Sequence, residues 1–73
     1  MPLRALAYRE VRRRLQASGF SEVSQSGSHV KFSKQTIEGL KTVTMPRHRE
    51  LAAGTLASIL RQAGISPDEF ELL

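Results

Sequence analysis

The stretch FSEVSQSGSHVKFSKQTIEGLKTVTM, Phe20 to Met45, decides the fold. It contains three short runs rich in branched and aromatic residues, divided by Ser26-Gly27 and by a polar segment around Glu38-Gly39. Runs of that composition, bounded by turn residues, predict an antiparallel meander. In the middle run, alternation points Val30 and Phe32 one way and His29 and Lys31 the other. In the third, Val43 and Met45 face the core while Thr42 and Thr44 do not. The first run is the least regular, because Phe20 and Val23 have opposite parity. Pro46 ends the third strand, since it has no N–H to give to a ladder.

On the N-terminal side, Tyr8, Val11 and Leu15 recur at helical spacing with Arg9 and Arg13 opposite them, which predicts an amphipathic helix over Tyr8 to Ala17. Glu10 and Arg14 stand four apart, a favourable helical pair. Leu3 and Leu6 fall off the stripe, so the helix starts after them. Gly19 supplies its left-handed end, and Phe20 folds back on the last turn. On the C-terminal side, Arg47 to Ala53 reads as a basic connection, and Gly54 or Thr55 as the cap of a second helix. Its stripe is Leu56, Ile59, Leu60 and Ala63, and Gly64 ends it. Ser66 and Glu69 have capping-box spacing around Pro67 and open a short last helix, docked by Phe70 and Leu73. The expected class is therefore α+β: helix, three-stranded antiparallel sheet, helix and short C-terminal helix, with the helices on one sheet face.

A length of 73 residues suits a single domain, residues 1–73, because a shorter segment could not bury enough apolar surface to offset its ordering entropy. With no cysteine, neither a disulfide framework nor a thiolate metal site is available, and the cytoplasm is the expected compartment. No apolar run approaches a membrane span or the core of a signal peptide. A formal net charge of +4 favours a polyanionic partner such as nucleic acid.

His29 is the first candidate for chemistry. It follows Gly27-Ser28 at the start of a strand and shares a face with Lys31, so its imidazole would meet solvent. An imidazole titrates near ~6.5 in water and can give or take a proton at cellular pH. RNA cleavage asks for little more: a base removes the 2′-hydroxyl proton, the oxygen attacks the adjacent phosphorus, and a cation offsets the charge that builds on phosphate. The plain alternative is an ordinary surface histidine. His48, after Pro46, could position phosphate or act as the conjugate acid; the alternative is a solvated loop residue. Arg47 and Arg49 flank it. The histidines lack the acids and cysteines of a zinc site. Asp68, Glu69 and Glu71 are explained by the helix dipole. Arg9, Arg12, Arg13 and Arg14 either track an RNA backbone or form a face for solvent or an acidic partner.

Taken in order, Gly19-Phe20, Gly27-Ser28-His29, Pro46-Arg47-His48 and the run from Gly54 to Gly64 resemble the HicA family of bacterial mRNA interferase toxins, also called YcfA-like proteins. The resemblance covers roughly Tyr8 to Leu72. It implies a double-stranded-RNA-binding-like fold, His29 as the catalytic residue of an endoribonuclease, and a HicB-type antitoxin that covers the active face. Gly27, Ser28, Lys31, Arg47 and His48 are the expected RNA-binding residues; no metal or cofactor is expected. Members often carry a small hydrophobic residue where this chain has Arg47. Two other readings stay open: a non-catalytic RNA-binding module of the same fold, and an interaction domain for an acidic protein.

Overall fold

The computed structural model describes residues 3–73. Among them the order is β1 (Leu6–Ala7), α1 (Tyr8–Ala17), β2 (Ser21–Ser26), β3 (His29–Thr36), β4 (Gly39–Pro46), β5 (Glu50–Leu51), α2 (Ala53–Ala63) and α3 (Pro67–Glu71). The α+β reading holds. β2, β3 and β4 form an antiparallel sheet with β3 in the centre, and the helices pack on one of its faces.

The alternation in β3 and β4 builds the core. Val30, Phe32, Val43 and Met45 are fully buried against Val11 and Leu15 of α1 and Leu56, Ile59 and Leu60 of α2. His29, Lys31, Thr42 and Thr44 are exposed on the far face. The irregular first run resolves as a bulge: Glu22 pairs with Phe32 but Ser24 with Lys31, and Val23 is left over and exposed. Phe20 lies before the strand and is buried. Its N–H reaches the Leu15 carbonyl while Gly19 N–H reaches that of Gln16, the paired bonds of a Schellman end. Gly19 sits at φ 103°, and a Cβ there would come within 3.1 Å of the Lys34 side chain. That lysine donates to the Ser18 carbonyl (2.6 Å), placing a cation at the negative end of α1.

Two expectations need correction. The segment from Arg47 to Ala53 is not merely a connection, because Glu50–Leu51 pairs antiparallel with Leu6–Ala7. Tyr8 N–H continues that ribbon to the Arg49 carbonyl (3.1 Å). Nor do Gly54 or Thr55 cap α2: the helix opens at Ala53 behind Ala52, with no side-chain cap. The β1–β5 pair and the burial of Leu51 turn the chain into the helix at Ala52, two residues before Gly54 and three before Thr55. The Ser66 hydroxyl does accept from Glu69 N–H, opening α3 as the spacing requires.

The arginines of α1 divide by what they touch. Arg13 and Arg14 both donate to Glu10, at 2.7 and 2.8 Å. Arg14 also lies 4.7 Å from the Phe70 ring centroid, and Arg13 and Arg14 reach the carbonyls of Leu73 and Phe70, so this pair holds α3 down. Hydrogen bonds from Arg13 and then Arg14 pull the Glu10 carboxyl from its ordinary 4.5 to about 2. A carboxyl whose folded-state value is depressed stabilises the fold above its unfolded value, and that contribution disappears as pH falls through the folded value. A Glu10→Gln variant should therefore melt below the native protein at neutral pH. The gap should close between about pH 4.5 and pH 2; a gap of constant size across thermal melts in that range would contradict the assignment.

Candidate active site

His29 stands where three local requirements meet. The loop between β2 and β3 has only Gly27 and Ser28, with positive φ (59°) at Gly27 alone, as a two-residue hairpin with glycine first demands. A Cβ at Gly27 would meet nothing within 4 Å, so the tip of this turn is open to a ligand's backbone. His29 then begins β3 one residue before Val30, whose burial forces the imidazole to the far face.

Register supplies the neighbours. His29 lies opposite Ser26 on β2 and Pro46 on β4; Lys31 lies opposite Ser24 and Thr44. Thr44 N–H turns away from β3 and donates to Gln62 Oε1 of α2 (3.0 Å). Two residues on, the nitrogen of Pro46 faces the same outer side, where a missing donor breaks no sheet bond. His29 and Pro46 thus form a non-hydrogen-bonded pair, the type in which opposing side chains stand closest. The ladder resumes beyond the proline, because Arg47 N–H donates to the Ser28 carbonyl and ties the departing chain to the turn that carries His29.

The expected RNA-binding residues fall into two groups. Gly27, Ser28 and Lys31 share the turn and outer face with His29. Arg47 and His48 lie elsewhere: the Arg47 guanidinium donates to Gln25 Oε1 (2.8 Å), and Gln25 pairs with the inward-facing Val30. With Ala7, Tyr8, Arg9 and Arg49 they line a recess of about 480 Å³, and neither His29 nor Lys31 is among its walls. Partial burial and the charge of Glu22 raise the Tyr8 phenol above its ordinary value, against Arg47 and Arg12, so it remains a neutral donor.

Tyr8, Arg9 and Arg49 were not singled out for this recess by their sequence pattern. Tyr8 reads as a core position, and Arg9 as one of four helix arginines that either track an RNA backbone or face solvent or a partner. What joins them to Arg47 is the bond from Tyr8 to Arg49, made across a ribbon too short to show periodicity.

No curated protein matches the chain. A family model described as HicA toxin of bacterial toxin-antitoxin matches residues 8–65, from the first residue of α1 to just past α2. The matched span contains the whole sheet, the His29 turn and all but Ala7 of the recess. No helix among the described residues is long and apolar enough to cross a membrane. The extent of that match settles the family, and the chain belongs to the HicA toxins of bacterial toxin–antitoxin systems.

Proposed function

We propose that this toxin is a metal-independent endoribonuclease that cuts messenger RNA in the cytoplasm, with His29 as general acid/base, and that a HicB-type antitoxin neutralises it by covering the same face. The reading is carried by the position of His29: exposed on the sheet face turned from the helices, one residue past an open turn, with Lys31 on the same face. In this mechanism the imidazole takes the proton of a ribose 2′-hydroxyl. The oxygen attacks the adjacent phosphorus, the bond to the 5′-oxygen breaks, and the leaving oxygen takes up a proton. Lys31 offsets the negative charge that grows on the non-bridging oxygens. Gly27 lets the strand approach the backbone of the turn, Ser28 offers a hydroxyl, and Arg47 and His48 hold the strand farther along.

Such chemistry leaves a 2′,3′-cyclic phosphate and a 5′-hydroxyl. An RNA oligonucleotide should yield those ends at the same rate with or without a chelator. The same oligonucleotide carrying one 2′-deoxynucleotide on the 5′ side of the cut should resist cleavage there. Undiminished cutting at the deoxy position, read by mass spectrometry of the fragments, would rule out hydroxyl attack.

A further inference from the structure

We propose that the recess between the start of α1 and residues 47–49, whose walls do not include His29, binds a backbone phosphate of the RNA strand. Three arginines, Arg9, Arg47 and Arg49, enter it, and none of them pairs with a carboxylate among the described residues. An adjoining hollow shares Tyr8, Arg9 and Arg47 and adds Arg12 and Glu22. Glu22 is the one carboxylate lining either hollow, and Arg12 engages it at 3.6 Å. On the other flank of α1, Arg13 and Arg14 share Glu10, which offsets one of their two charges. Three guanidinium groups without a carboxylate partner among the described residues thus share one recess.

The site is also held in shape. Gln25 takes one N–H of Arg47 and leaves the rest of its fork free, while the Arg49 backbone is fixed by Tyr8 N–H. Guanidinium forks match phosphate oxygens in geometry as well as charge. An acidic protein could supply carboxylates instead, since Arg and Tyr are also common at protein interfaces, and that occupant is an outcome of the test below. Three of the six lining residues are arginines and none is acidic. Position favours RNA further. The segment starts from Pro46, the cross-strand partner of His29, and the three residues to Arg49 reach at most about 11 Å. A strand lying over His29 can therefore bend around the Gly27 turn and place a nearby phosphate in the recess.

This inference rests on the RNA reading above but not on catalysis by His29, and a substrate that cannot be cut separates the two. Binding of a fully 2′-O-methylated RNA oligonucleotide is measured by fluorescence anisotropy across a potassium chloride series. Arg9→Ala and Arg49→Ala should each weaken binding roughly tenfold. Each should also flatten the log–log salt dependence by about 0.7, the loss of one single-strand phosphate contact. Arg13→Ala removes the same charge outside the recess and should do much less. The Arg9 and Arg49 side chains are exposed and unpaired among the described residues, so thermal melts of those variants should stay close to native. Arg13→Ala gives up its Glu10 bond and should melt lower, so its binding is measured well below its own melting temperature. Equal effects from the three variants would overturn the proposal, as would loss of antitoxin binding with RNA binding intact, or no RNA binding by the native protein. Recess-dependent binding in a protein that fails to cut unmodified RNA would uphold the recess and sink the nuclease reading.

Discussion

Replacing His29 with alanine should lower the rate of RNA cleavage by about a hundredfold to ten-thousandfold, the usual contribution of a positioned acid or base. The fold should not notice. The side chain is exposed, takes part in no hydrogen bond or ion pair among the described residues, and leaves Gly27 and the Ser28–Arg47 bond untouched. A surface change of that kind moves stability by no more than about 0.5 kcal/mol. Single-turnover cleavage and a thermal melt on the same preparations test both halves. Equal cleavage by the two proteins removes His29 from the chemistry. A large loss of stability would mean that the variant reports on folding instead. His29→Asn serves as a second variant, keeping a polar group of similar size that cannot act as a base, and should be nearly as slow as alanine. Recovery of activity by asparagine would point to a hydrogen bond rather than proton transfer.

What could be read from the chain follows the range of the forces involved. Val30 against His29 and Val43 against Thr44 are sorted by a period of two, and burial of one set fixes the direction of the other. The helix over Tyr8–Ala17 and its Gly19-Phe20 end are equally local, set by a stripe and a left-handed residue. The β1–β5 ribbon is not local. It joins Leu6 to Leu51 through pairs too few to impose a pattern, so neither the recess nor the true start of α2 could be seen. The four arginines of α1 show the same divide. Spacing brings Glu10 to Arg14, but only the docking of α3 and the bulged β2 decide that Arg13 and Arg14 serve the fold, while Arg9 lines the recess and Arg12 pairs with Glu22 in the adjoining hollow. The catalytic candidate was legible because its position depends on a turn and one buried neighbour. The phosphate recess was not, because it depends on tertiary pairing.

Phe32→Ala should be the most damaging substitution to the fold. Phe32 is fully buried at the centre of β3, opposite Val43 on one side and Glu22 at the bulge on the other. Truncating a buried phenylalanine costs about 3–5 kcal/mol, through lost transfer energy and the cavity left behind. A domain of 73 residues, at roughly 0.05–0.15 kcal/mol per residue, has about 4–11 kcal/mol in total. The melting temperature should therefore fall by roughly 12–40 °C. Phe32→Leu, which keeps most of the volume, should lie between it and the native protein. The contrast with His29 matters in cells, where either change should relieve toxicity for opposite reasons. His29→Ala should leave a folded protein with its native circular dichroism, whereas Phe32→Ala should lose both that signature and the surface that carries the site. A Phe32→Ala protein melting within a degree or two of native would show that the core is not organised around β3. The outward orientation of His29 would then lose its physical cause, since it is the burial of Val30 and Phe32 that turns the imidazole toward solvent.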